Sequence, residues 1–314
     1  MINSDVDISE NLLLRQNPDV MAMLLKDHTT QENIYWATDS YVSMGEGFLF
    51  NDKITIEKIT GDNDGVIRPR CVKSKEEQTQ RTKDKAEVFT PSWICNKQNN
   101  LIDTAWFGRE NVFNTEQDEE NNEHSWTPSP SPIVFSEEKG KGWKDYVRDT
   151  RLEITCGEAP YLASRYDTIT GEYIPVKNRI GLLDRKLRIV SENTETSGDW
   201  LDMAQDAYKN TYGYDWQGDN VLLARESLLM TFIENYIEKF GHEPLKKSIE
   251  YIAYIISWNI WQMDGLKFCL PGQEPKLPGL FDEGNMCLIR DWRKPRDKQK
   301  TPFYIVTQQN SESN

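Results

Sequence analysis

At 314 residues, 37% hydrophobic and 11% aromatic, the chain is too apolar to stay disordered and long enough for one large α/β domain or two modest ones. No apolar run approaches the ~20 residues of a membrane span, and the polar, acidic residues 1–10 lack leader character, so a cytoplasmic protein with no membrane partner is expected. Five dispersed cysteines without a C-x-x-C pair and three distant histidines exclude a disulfide framework or a zinc site, so no metal is expected, and a net charge of -14 excludes a uniformly basic DNA-binding face.

Residues 1–85 read as an N-terminal accessory region. Within it, residues 11–26 carry a helical pattern through Leu12, Leu13, Val20, Met21 and Leu24, and residues 60–65 are rich in turn formers. Basic residues then gather at Arg68, Arg70, Lys73, Lys75, Arg81, Lys83 and Lys85. Residues 86–314 form the main domain. It opens with a loop entering a helix over 86–103, followed by an acidic stretch and the alternating prolines of TPSPSP, which predict an exposed loop or linker at 115–132.

The second half alternates strand-like and helix-like patterns, the signature of a doubly wound α/β sheet. Strands are expected at 151–155, 212–216, 258–263 and 286–290, with a further one at 303–307. Helices are expected after Trp216, capped by Asp219 or Asn220, and over 244–257, with an insertion at roughly 168–198 between the first two strands. A second basic stretch runs from Arg290 through Arg293, Lys294, Arg296 and Lys298 to Lys300.

Four segments, in order, are able to build one nucleoside-cofactor site at the carboxyl ends of the strands. Glu153 to Leu162 is a strand bearing an acid that turns through Cys156 and Gly157 into an apolar stretch. Tyr212 to Trp216 delivers Asp215 as an acceptor for ribose hydroxyls, with the Trp216 ring beside it for stacking. Asn259 to Asp264 ends another strand in a carboxylate beside Met263, and Phe89-Thr90-Pro91 is a rigid turn upstream of the sheet. Taken singly, each segment is also what an ordinary strand-end turn or helix cap looks like.

Together these segments resemble the adenine-N6 DNA methyltransferases of the modification-subunit kind found in type I and related restriction-modification systems. Phe89-Thr90-Pro91 is similar to that family's Phe-Thr-Pro segment, and Glu153–Leu162 to its Asp-Pro-Ala-Cys-Gly-x-Gly-x-Phe-Leu turn. Tyr212–Asp215 followed by Leu223-Ala224-Arg225 is similar to its Tyr-Gly-x-Glu strand and Leu-Ala-Arg helix, and Asn259–Asp264 to its Asn-Ile-x-x-x-Asp strand.

The resemblance implies a Rossmann-like class I methyltransferase domain that binds S-adenosylmethionine. Phe89, Thr90 and Pro91 would flank the methionine part and Glu153, Cys156 and Gly157 would line it. Asp215 and Trp216 would hold ribose and adenine, and Met263 with Asp264 would read the adenine edge. It further implies adenine-N6 methylation of DNA in restriction-modification or phage defence, with a second subunit supplying target recognition or the missing catalytic half.

The sequence departs from the family at two places. Ala159 stands where the family has its second loop glycine, with Pro160 beside it, so the turn is expected to avoid a positive φ there. The family's Asn/Asp-Pro-Pro-aromatic tetrapeptide, which holds the flipped adenine, is absent, and the chain ends soon afterwards, as though truncated after the cofactor-binding half. At the corresponding place Asp291 and Trp292 are the candidate catalytic residues, a carboxylate to accept the amine protons and a ring to stack. The alternative is a non-catalytic, degenerate methyltransferase fold acting as a regulatory, interaction or DNA-competing protein.

Overall fold

The computed structural model describes residues 6–85, 90–118, 124–273 and 286–311. Two short helices, α1 (Glu10–Gln16) and α2 (Pro18–Leu25), precede α3 (Ile56–Ile59), α4 (Lys75–Lys85) and α5 (Ser92–Phe107). A hairpin of β1 (Asn114–Asp118) and β2 (His124–Pro128) leads to α6 (Trp143–Arg148) and β3 (Arg151–Ile154). Then come α7 (Leu182–Asn193), α8 (Ser197–Lys209), β4 (Thr211–Asp215), α9 (Gly218–Phe240), α10 (Lys246–Asn259) and β5 (Ile260–Gln262). A second hairpin, β6 (Leu288–Arg290) and β7 (Lys300–Pro302), and α11 (Phe303–Ser311) follow.

The sheet is parallel, in the order β3-β4-β5, with Glu153 opposite Gly213 and Gly213 opposite Ile260. The α/β class is therefore observed, and helix pairs make both crossovers: α7 and α8 between β3 and β4, α9 and α10 between β4 and β5. Strand alternation sends the two faces to different partners. Ile260 joins the main core with Leu183, Leu187, Val221, Leu228, Phe232 and Ile256 from the crossover helices. Tyr212, Tyr214, Trp261 and Met263 face the other way and pack on Leu270, Cys287, Ile289 and Phe303.

Several expectations are corrected. The pattern at 11–26 is two helices, because Pro18 cannot supply the amide that a continuous helix needs and instead starts α2. The segment at 115–132 is not a free loop, since its described ends pair as the β1–β2 hairpin. Within 168–198 lie the whole of α7 and the first two residues of α8, so the long spacing between strands is the crossover itself. Leu288–Arg290 is a strand but pairs antiparallel with Lys300–Pro302 instead of extending the parallel sheet. Residues 303–307 are helical, beginning α11, whose Phe303 is drawn into the apolar cluster on the sheet.

The accessory region shares its core with the rest. Leu13, Val20, Met21, Leu24, Leu25, Ile34, Trp36, Ile54, Ile59 and Ile67 belong to the same cluster as the crossover helices. The close seam is at Gly218, whose amide donates to the Trp36 carbonyl at 3.0 Å and where a Cβ would fall 1.8 Å from the Tyr35 carbonyl oxygen. Gln262 clamps the same segment, accepting from the Tyr35 amide and donating to the carbonyls of Tyr35 and Trp216.

At the centre is Arg225, fully buried, which donates through Nε to the Ile260 carbonyl at 2.8 Å, through Nη1 to Leu24 and Lys26 at 2.6 and 2.9 Å, and through Nη2 to Ser257 at 3.1 Å. Burial lowers its pKa to about 10, so the guanidinium stays charged at neutral pH. Replacing Arg225 with Met strands these carbonyls and is expected to cost at least ~3 kcal/mol in urea unfolding; a loss under ~1 kcal/mol would show that the carbonyls find other partners.

His28 lies beside this centre, stacked on Trp258 at 3.8 Å with Nε2 2.8 Å from the Ser257 hydroxyl. Burial, with the charges of Arg225, Lys26, Lys300 and Arg290, pushes its pKa down to about 3. The unfolded chain protonates this ring near pH 6.5 while the folded chain keeps it neutral, so folding stability is lost as pH falls from there towards 3. The stability difference between wild type and His28→Gln should therefore shrink on acidification over that range, and parallel curves would contradict this account.

Candidate functional site

The turn after β3 is the most contorted backbone near the sheet. Thr155, Gly157 and Ala159 all have positive φ, at 47°, 52° and 60°. The expectation that Ala159 avoids a positive φ is thus overturned. The reason is hydrogen bonding across the strand ends: the Cys156 amide donates to the Tyr214 carbonyl at 2.8 Å and the Gly157 amide donates to Asp215 Oδ2 at 2.9 Å. Turning the amides of 156 and 157 towards β4 forces the chain through the left-handed region before the Ala163 amide closes on the Ala159 carbonyl.

Asp215 is buried at the carboxyl end of β4. Its Oδ1 accepts from the Gln217 amide at 3.0 Å and from Asn220 Nδ2 at 3.3 Å, and burial holds its pKa above the usual range against those donors. Helix α9 starts at Gly218 with Gln217 in the cap position, so neither Asp219 nor Asn220 caps it as expected. Asn220 orients Asp215, and Asp219 instead pairs with Arg81 at 2.8 Å and accepts from the Tyr41 hydroxyl at 2.8 Å.

Glu153 shares the helix-packed face of the sheet with Gly213, whose missing side chain leaves room for Cys156: a Cβ there would sit 3.2 Å from Cys156 Sγ. Glu153 Oε1 accepts from the Tyr161 amide at 3.4 Å, and Oε2 is buried without a partner. Burial, with the Asp215 charge nearby, drives the carboxyl well above the usual range. Cys156 is driven up by burial and by the same two carboxylates. Thr90 and Pro91 adjoin this group at the start of α5: the Cys95 amide donates to the Pro91 carbonyl at 3.2 Å, its Sγ lies 3.6 Å from the Thr90 carbonyl, and burial with the nearby Glu153 charge pushes the Cys95 thiol up. The Thr90 carbonyl also accepts from Thr168 Oγ1 at 2.9 Å. Phe89 lies outside the described residues.

The structure therefore brings Thr90, Pro91, Glu153, Cys156, Gly157 and Asp215 together. Trp216 follows Asp215, partly exposed, with Nε1 donating to the Ala37 carbonyl at 3.1 Å. Met263 and Asp264 part from them. Met263 is buried on the opposite face, its sulfur accepting from Trp261 Nε1 at 3.3 Å. Asp264 Oδ1 accepts from the amides of Leu266 and Lys267 at 2.8 and 3.2 Å, closing a turn whose Gly265 lies against the Tyr214 ring.

Asp291 and Trp292 lie at the other end of the sheet. Trp292 Nε1 donates to Asn259 Oδ1 at 2.8 Å, just ahead of β5. Asn259 Nδ2 in turn donates to the carbonyls of Tyr208 and Thr211, ahead of and at the start of β4. The Tyr212 hydroxyl donates to the Arg290 carbonyl at 2.9 Å. From Thr211 to Asp215 the strand covers roughly 13 Å, and that length separates the two sets. Asp291 is also committed: burial would raise its carboxyl, but Arg293, bonded at 2.8 and 3.1 Å, and the charge of Lys294 outweigh burial and hold it low. The basic stretch at 290–300 shares this amino end.

Tyr161, Cys95 and Thr168 belong to the assembled group and were not singled out from sequence. Their only signal was position, close to the Phe-Thr-Pro segment and the Cys-Gly turn. Among the described residues no cluster of His, Cys, Asp and Glu is arranged to hold a metal ion, and no helix is long and apolar enough to cross a membrane. All five cysteines are free thiols.

Because Ala159 holds a positive φ with a Cβ, Ala159→Gly should leave stability unchanged or raise it by up to ~1 kcal/mol. A loss of more than that on thermal or urea unfolding would show that its buried methyl outweighs the backbone strain.

Comparison of the chain with protein-family models, with curated proteins and with solved structures returns no match.

Proposed function

We propose that this chain is an S-adenosylmethionine-binding methyltransferase, or the cofactor-binding subunit of one, of the adenine-N6 DNA methylase type in a restriction-modification or phage-defence setting. The observation that carries the reading is the joined end of β3 and β4. There the Gly157 amide is fixed on Asp215, and the buried Glu153 carboxylate keeps one oxygen, Oε2, without a donor. An adenosyl amino acid carries an ammonium, which the unpartnered Glu153 oxygen lacks, and ribose hydroxyls of the kind a strand-end acid such as Asp215 accepts. The residues fit its methionine and ribose parts, held by Thr90, Glu153, Gly157, Asp215 and Trp216. They do not fit the expected adenine-edge pair, since Met263 is packed away and Asp264 closes a turn.

A second reading, a non-catalytic fold of this type, is favoured by one observation. Asp291 is neutralised by Arg293 and Lys294 and stands at the opposite end of the strands from Asp215. Under the first reading the acceptor base is held by other groups, from this chain or a second subunit.

Calorimetric titration with S-adenosylmethionine tests the cofactor site. Binding is expected in the micromolar range, and Glu153→Gln should weaken it about tenfold, since an amide cannot ionise to meet the ammonium. No saturable binding to the wild type would end the first reading and leave the second, which does not require the cofactor. Labelled-methyl transfer to DNA then separates them, and activity should be insensitive to Asp291→Asn if the acceptor lies elsewhere.

A further inference from the structure

A cavity of about 740 Å³ lies between the β1–β2 hairpin, the start of α5 and the turn over residues 167–175. Its walls include the rings of Trp93, Trp126 and Tyr173, with His124 stacked on Trp93 at 3.8 Å and 23°. His124 and Trp126 are two apart on β2 and so share one face of the hairpin.

These rings are held from behind. Trp126 Nε1 donates to the Asn178 carbonyl at 2.7 Å, and Arg179 Nη2 donates to the Tyr173 hydroxyl at 3.2 Å. The charge of Arg179 is spent on Glu234, which also takes Arg165.

The polar lining is acidic. The Asp167 carboxylate accepts from the amides of Ser92, Ile169 and Thr170 at 2.8 to 2.9 Å. Burial would raise its pKa, but these donors outweigh burial and keep it ionised. Glu172 adds a second, exposed carboxylate, and no Lys or Arg is among the described lining residues. Phosphate-bearing ligands are repelled by such a lining. A cation is attracted twice, by the carboxylates and by the electron-rich ring faces. A bare ammonium keeps its water because few free acceptors face it. An alkylated one presents methyl groups to indole and phenol rings and gives up little hydration.

We propose that this pocket binds a methylated ammonium group, free or at the end of a lysine side chain. The head group fills only part of the volume, leaving room for the body that carries it. The inference does not rest on the methyltransferase reading, since Trp126, Tyr173 and Glu172 are outside the proposed cofactor set.

The test is titration calorimetry on the full chain with choline and with its uncharged carbon analogue, 3,3-dimethyl-1-butanol. A second arm uses a short peptide carrying trimethyllysine and its unmodified counterpart. The charged probes should bind about tenfold more tightly than their controls. Glu172→Gln should weaken binding several-fold, and Trp126→Ala should remove it while S-adenosylmethionine titration and circular dichroism stay as in the wild type. Tighter binding of choline points to a free small molecule, and tighter binding of the modified peptide to a protein partner. Equal binding of choline and its neutral analogue, no saturation of either charged probe by ~10 mM, or indifference to Trp126→Ala would overturn the proposal.

Discussion

The guanidinium of Arg225 holds together segments far apart in sequence. From the middle of the helical face of α9 it reaches the end of α2, the last turn of α10 and the first residue of β5. These carbonyls lie at or just past the ends of α2 and α10, where a helix leaves its last acceptors unpaired, and one planar donor group satisfies them together. The position of β5 beside β4, and the docking of the N-terminal helices on α9 and α10, both depend on it. Without that anchor the joined end of β3 and β4 would lose the wall formed by α9 and the Tyr35–Trp36 segment.

Buried charge is handled differently elsewhere. Arg165 and Arg179 close on Glu234, Arg185 pairs with Asp103, and Arg81 with Asp219. Each pair is sequestered, so these arginines are internal ties. Arg81 is one of these, which leaves the first basic stretch less exposed than its composition implies. The three carboxylates that cluster near the N-terminus follow the opposite course. Burial pushes Asp7 up to about 6 and Glu10 up to about 8, and Glu226 is raised well above its usual range by burial and by its acidic neighbours. Burial here outweighs the charges of Arg68 and Lys73 near Asp7 and of Arg165 near Glu226, so these carboxyls take up protons more readily than exposed ones.

The sheet divides the proposed chemistry by geometry. Side chains that alternate along β4 send Asp215 and Gly213 towards the crossover helices and Tyr212 and Tyr214 towards the C-terminal hairpin. A strand end can carry a ligand only on the side where its loop turns. The β3 turn bends back onto β4 through Gly157, whereas the turn after β5 folds onto Tyr214. This is why Asp215 and Asp264, both at carboxyl ends, do not share one space.

The sequence by itself determined what is local. Alternation and turn residues placed β3, β4, β5, α9 and α10 within a few residues, and with them the Cys-Gly turn and Asp215 at their strand ends. Hydrophobic pattern cannot report pairing, however, so the Leu288–Arg290 strand was found while its antiparallel partner at Lys300–Pro302 was not. It also cannot tell an apolar helix start from a strand, which is how residues 303–307 were misread. Tertiary structure alone decided which face each strand-end carboxylate takes, that Ala159 accepts a positive φ to let two amides reach β4, and that Asp291 lies beside Asn259 instead of beside Asp215. Those outcomes are set by hydrogen bonds between residues distant in the chain, and no periodicity in one segment records the partner that another supplies.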